Sequence, residues 1–200
     1  MSTLIELHYL PSLEYFSALL QSTGIILEKH EQYIKQSYRN RCYINTANGI
    51  LKLVIPVTSK HGKALIKDVR IDHRGKWQNL HWRAIKSAYG KAPFYDHYEG
   101  TLNKILFSQS EFLYDLNLQL LSFCLQSLKV SVPLTESTSY EKSTSGGVTD
   151  LRSVISAKIH FSERDFYNPT PYTQVFGNKF VNNLSLIDLL FCEGPNAIQI

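Results

Sequence analysis

Sulfur is scarce in this sequence. Methionine occurs once and cysteine three times in 200 residues. Cys42, Cys124 and Cys192 are widely spaced and odd in number. They offer neither zinc-ligand spacing nor a disulfide framework, so the expectation is a reducing compartment and no metal. No apolar run approaches the ~18 residues that cross a bilayer, so no membrane span is expected. The opening MSTLIELHYLPSLEYF lacks a basic stretch followed by a long apolar one, so no secretory signal is expected in it. These absences point to the cytoplasm. Charge of one sign is also missing: 21 Lys and Arg stand against 17 Asp and Glu. That mild excess admits an anionic ligand but lacks the dense basic stripe of a nucleic-acid binder, so no nucleic-acid partner is expected. There is no internal repeat, and no motif names a cofactor.

What remains is an ordinary globular composition, 44% apolar and 19% charged. Two hundred residues suit one domain over 1–200 with a substantial core. The chain centres on Tyr33 to Val57, YIKQSYRNRCYINTANGILKLVIPV. It reads as two strands joined at Asn48-Gly49, residues that tolerate the positive φ of a type I′ turn. Strand alternation places Arg39, Arg41 and Tyr43 on one face and Asn40 on the other. Ile50 to Val57 reads as a buried, central returning strand. Two guanidinium groups in apolar surroundings require anionic partners, from the protein or from a ligand.

Before this stretch, Thr3–Tyr9, a helix from Leu13 capped by Ser12, and Ile25–Leu27 form a βαβ start. After it, TSKHGK places Lys60, His61 and Lys63 around Gly62, either a phosphate-receiving loop or a solvated one. Ile66–Asp72 reads as a strand. Helical spacing marks 76–89, 94–107 and 110–128. Asn117, in the third of these, is expected to face solvent or to bond a neighbouring loop. Val130–Leu134 reads as a strand. The Ser/Thr/Gly-rich stretch 135–150 reads as a flexible loop, either a lid or a plain connection. A short helix capped by Asp150 is expected over 151–157. The last helix, NLSLIDLLF, is apolar on nearly every side and takes Asn183 as its N-cap. The fold class is α/β: a mixed sheet with a βαβ start and a central hairpin, with helices packed on it.

Several side chains stand out chemically. His81 falls in the apolar stripe of its helix, either as a hydrogen-bonded core histidine or as a general base. Asp188 is a carboxylate in a buried helix and needs a partner. Arg39 or Arg41 is its best mate, and a catalytic carboxylate is the alternative reading. If the sheet starts parallel, ligands favour its carboxyl edge, which places His8 and Tyr9 at a pocket mouth.

Three segments then carry a family resemblance: YIKQSYRNRCYINTANGILKLVIPV, HWRAIKSAYGKAPFYDHY and QVFGNKFVNNLSLIDLLFCEGP. In order and spacing they resemble the bacterial WbqC-like proteins, over about Glu6 to Asn196. LPSLEYF is similar in placement to the family's YLPWLGYF-like stretch. The chain departs from the family at Glu6-Leu7-His8, where many members carry His-Gln-Pro, and at Cys192, where an asparagine is common. The family takes its name from gene clusters for O-antigen and other surface polysaccharides. The resemblance implies a transferase passing an acyl or aminoacyl group to an activated amino sugar. On that reading Arg39, Asn40, Arg41, Tyr9, Tyr43 and Arg83 bind an anionic small molecule such as a nucleotide-linked sugar. His81, His8 and Asp188 are the candidate catalytic groups. The alternative is an accessory protein that binds a glycan or a partner without chemistry.

Overall fold

The computed structural model describes residues 1–58, 63–144 and 146–200. Lys60, His61 and Gly62 of the TSKHGK stretch lie outside the described residues. The chain is α/β, and the described residues form two separate sheets and five α-helices. The larger sheet holds β1 (Ser2–Glu6), β2 (Gly24–Glu28), β5 (Leu134–Glu136) and β6 (Val148–Asp150) in the order β5-β2-β1-β6. Its described pairs are all parallel. Parallel strands need a crossover, and α1 (Leu13–Leu20) supplies the first. Ser12 caps it, its side chain accepting from the Tyr15 N–H. The Asn183 side chain accepts a second free N–H of that turn, from Glu14.

The expected hairpin exists as β3 (Arg41–Thr46) and β4 (Gly49–Val54), but it forms its own two-stranded sheet. β4 is therefore not central. Ile50 is 59% exposed, since among the described residues no further strand joins that ribbon. The turn also differs from type I′: only Gly49 of the Asn48-Gly49 pair has a positive φ, of 93°. Residues Tyr38–Asn40 form a 3-10 turn and not a strand, so the simple alternation of Arg39 and Arg41 is lost. Ile66–Asp68 is likewise a 3-10 turn.

The helices α2 (Trp77–Tyr89), α3 (Tyr95–Leu106) and α4 (Leu113–Ser127) follow the periodicity expected of them. The last, α5 (Leu186–Glu193), begins after Ser185, which leaves Asn183 free to serve α1. The stretch 135–150 starts and ends in strand, and β6 is the edge strand that the sequence reading lacked. Residues 151–157 form turns, because the Asp150 carboxylate takes the Arg152 backbone N–H and guanidinium instead of capping a helix.

Candidate functional site at the carboxyl edge of the parallel sheet

In this strand order β1 leads through α1 to β2 on one side and has β6 on the other. Ligands of open parallel sheets bind in the crevice at such a switch point, outside the carboxyl ends of the strands. Both first strands end in glutamate. The β1–β2 register sets Glu6 directly beside Glu28, and like charges so placed repel. Two arginines resolve the conflict. Arg39 Nη2 lies 3.3 Å from Glu6 Oε1, and Arg152 Nη1 donates to Glu28 Oε2 at 3.1 Å.

Arg39 is the centre of the network and is only 2% exposed. Its Nε and Nη2 donate to Glu31 Oε1 and Oε2, each at 2.6 Å, in a bidentate fork. Nη2 also reaches Ser153 Oγ at 3.1 Å. The Ser153 N–H donates to Glu6 Oε2 at 2.9 Å. The backbone of Arg39 is fixed as well. Its carbonyl accepts from buried Asn117 Nδ2 at 2.8 Å, the loop-bonding role open to that residue in the sequence. Asn40 Nδ2 donates to the Ile55 carbonyl, and the Ile55 N–H donates to the Asn40 carbonyl.

Electrostatics differ across the cluster. Glu6 is fully buried, yet Arg39, with help from His8 and the Ser153 N–H, overcomes desolvation and holds its pKa at about 2. Burial pushes Glu31 upward against the pull of Arg39. His8 is wholly buried, and desolvation lowers its pKa, so the ring is neutral at pH 7. Nε2 must then carry the proton, since it faces Glu6 Oε1 at 3.3 Å and a carboxylate only accepts. The ring packs on Tyr15 and Tyr38, with centroids 4.6 and 5.2 Å away.

Glu6 predicts an acid limit. Its folded pKa lies below the ordinary 4.5, so its contribution is present above that pH and is lost as pH falls from about 4.5 towards 2. Alone it is worth roughly 3 kcal/mol. Glu31 acts in the opposite sense, because the folded chain binds its proton more tightly. Urea titrations at pH 5 and pH 3 should show a steeper loss in the wild type than in Glu6→Gln. Equal slopes would contradict the assignment.

The network opens into a cleft of about 750 Å³. Glu31, Tyr33, Tyr140, Asp150, Arg152 and Ser153 line it, with Lys142 also on its wall. Four carboxylates of the cluster (Glu6, Glu28, Glu31, Asp150) face two guanidiniums (Arg39, Arg152), each committed to protein oxygens. Ser153 has a φ of 58°, a conformation costly for a residue with a side chain and concentrated at functional sites. Its hydroxyl proton is not used by the Arg39 bond, in which Oγ accepts. Of these groups the Glu31 and Asp150 carboxylates and the Ser153 hydroxyl line the cleft, with the Lys142 ammonium on the same wall, and the carboxylates and hydroxyl can accept from an amine or a polyol. Among the described residues, no group of His, Cys, Asp and Glu is arranged to hold a metal ion.

The other residues singled out in the sequence lie elsewhere. Tyr9 is buried, and its hydroxyl bonds His81 Nδ1 at 2.8 Å. His81 also bonds the Val54 carbonyl, and desolvation lowers its pKa to about 4. It is a hydrogen-bonded core histidine, 5% exposed. Asp188 meets neither arginine. It accepts from Tyr89 Oη at 2.8 Å, Tyr172 Oη at 2.7 Å and Gln174 Nε2 at 3.0 Å. Neutral donors suffice there, and burial raises its pKa against their pull. Arg41 is half-buried at the start of β3, and Tyr43 packs edge-on against Tyr38. Arg83 is exposed on α2.

The sequence reading missed Glu6, Glu28, Glu31, Arg152 and Ser153. One signal was available. Glu6-Leu7-His8 and Glu28-Lys29-His30 repeat Glu-x-His at the ends of the two strands of the βαβ unit. A parallel pair in register brings both to one edge. The equivalence is partial, since His8 bonds Glu6 through its ring and His30 bonds Glu28 through its backbone N–H.

Comparison with known proteins gives a consistent placement. The profile of the WbqC-like protein family matches residues 7–169 and 155–200. An uncharacterised protein of Mycobacterium tuberculosis is 28% identical over 221 aligned positions, covering 97% of this chain and 94% of its own. No solved structure matches. Among the described residues, no helix is long and apolar enough to cross a membrane.

Proposed function

The chain belongs to the WbqC-like protein family, and from that premise we propose that it is a cytoplasmic transferase. It passes an acyl or aminoacyl group to the amine of an activated amino sugar in bacterial surface-polysaccharide synthesis. The observation that carries this reading is Glu31. It lines the cleft at the carboxyl edge of the sheet while its two oxygens are fixed by Arg39. A sugar ammonium entering the cleft meets acceptors and no free guanidinium. Each oxygen of Glu31 keeps a lone pair beyond the Arg39 fork. Burial makes this carboxylate more basic than usual, as a general base requires. Glu31 takes the ammonium proton. The freed amine attacks the carbonyl of an acyl donor, the bond to the donor's leaving group breaks as the new amide forms, and the leaving group departs with the second proton of the amine. Ser153 Oγ–H is placed to hold a sugar hydroxyl. Arg39, Glu6 and His8 act behind Glu31 as positioning residues.

The test is turnover of nucleotide-linked amino sugars with acyl donors by the wild type and Glu31→Gln. A general base contributes about 10²–10⁴-fold, so a loss of about a hundredfold or more is expected with the fold retained. Unchanged turnover in Glu31→Gln would end the assignment. Saturable binding of the amino sugar without turnover would favour the accessory glycan-binding reading. Tyr140, exposed in the cleft, supplies a ring for a sugar face in that case.

A further inference from the structure

A second cleft, of about 800 Å³, lies between the hairpin turn, the end of α2 and the segment 173–176. The charged side chains of its lining are of one sign, whereas those of the first cleft are of both. Lys86 and Lys91 line it, and no aspartate or glutamate does. Among the described residues, neither lysine pairs with a carboxylate. A helix C-terminus attracts one cation, and Lys86 sits in the last turn of α2. The dipole does not explain a second lysine beyond the helix, nor an acid-free wall that also carries Asn48, Ser87 and Thr173. The side chains of these three residues make no hydrogen bond to other described residues.

One wall is rigid. Gln174 donates through Nε2 to the Val181 carbonyl at 2.8 Å and to Asp188 Oδ2 at 3.0 Å. Its Oε1 accepts from the Val181 N–H at 2.8 Å. Behind it, Tyr89 and Tyr172 hold Asp188. Phe176, Val175 and Pro93 add apolar surface beside the polar groups. The volume exceeds what a single inorganic ion needs and falls within the ~300–1,000 Å³ of small-molecule sites. We propose that this cleft binds a phosphorylated small molecule of nucleotide size. Lys86 and Lys91 neutralise the phosphoryl oxygens, Asn48 and Ser87 donate to them, and the Phe176 side takes the ring. The inference rests on this cleft alone and does not depend on the role given to Glu31.

Calorimetric titration of the full chain with inorganic pyrophosphate and with uridine diphosphate tests it. Both should bind, and the diphosphate should gain from its ring. Lys86→Ala/Lys91→Ala should weaken both by about tenfold or more, as expected for lost charge-assisted bonds. Lys86→Arg/Lys91→Arg should largely restore them, and Lys142→Ala, in the first cleft, should leave them unchanged. Both lysines are exposed, so an unaltered melting temperature without ligand is expected of the variants. Absence of pyrophosphate binding, or equal binding by the double alanine variant, would overturn the proposal. Glu31→Gln should bind pyrophosphate normally, so failure of the transferase reading and failure of this one are separable.

Discussion

Arg39→Ala should lower folding stability by about 3–5 kcal/mol, the cost of removing one partner from a buried ion pair. The cause is what the substitution leaves behind. Glu31 and Glu6 are 5% and 0% exposed, and each relies on this guanidinium for its charge. Without it, two carboxylates remain in a low-dielectric interior and must either repel or take up protons. Arg39→Lys should recover only part of the loss, because an ammonium cannot reproduce the fork to both Glu31 oxygens. Arg39→Leu combined with Glu31→Leu and Glu6→Leu should be far milder than Arg39→Ala, since apolar groups of similar size need no partners. Urea denaturation at pH 7 reads all of these. A loss below about 1 kcal/mol in Arg39→Ala, the range of surface pairs, would show that the buried network is not as described.

Gly194→Ala should cost about 4 kcal/mol, although the change adds one carbon. Gly194 ends α5 with φ 54° and ψ −124°, a region that residues with a side chain avoid, at about 1–3 kcal/mol. A Cβ there would overlap Phe94 at Cδ1, inside any van der Waals contact. Phe94 cannot simply move away, because its N–H donates to the Phe191 carbonyl at 3.0 Å and Tyr95 beside it packs on the Phe191 ring. Overpacking of this kind adds about 1–3 kcal/mol. The double variant Gly194→Ala/Phe94→Ala should remove the steric part and keep the backbone part. If Gly194→Ala proves neutral by thermal or urea unfolding, the end of α5 is arranged differently.

The elements that carry regular periodicity were legible. Trp77, Ile85 and Ala88 on one stripe specify α2 whatever the tertiary context, and Ser12 before Leu13 specifies the start of α1. The βαβ opening followed from spacing, but the pocket mouth expected at His8 and Tyr9 did not, because both side chains are buried and neither lines the cleft. The errors share a physical origin in partners distant in sequence. The length and apolarity of Ile50–Val57 suggested a central strand, but whether a strand is central depends on what pairs with it, and among the described residues no strand pairs with the outer side of β4. Val148–Asp150 is too short and too polar to announce a strand, and only the exposed edge of β1 makes it one. Asp188 needed a partner, which the sequence could show. That the partners are Tyr89, Tyr172 and Gln174, and not an arginine, depends on how α5 packs against α2 and the 172–174 segment. Arg39 was singled out for the right reason, that a guanidinium in apolar context needs anions. The anions proved to be the protein's own, Glu6 and Glu31, separated from it by up to 33 residues of chain.

On the proposed reading, the cleft at the carboxyl edge of the parallel sheet receives an amine-bearing sugar. A crystal structure of the wild type soaked with a nucleotide-linked amino sugar tests it most directly. Density is expected in the cleft bounded by Glu31, Tyr33, Asp150 and Ser153, with the sugar nitrogen within hydrogen-bonding distance of a Glu31 oxygen. Sugar bound at another place, or turned so that its amine points away from Glu31, would contradict it.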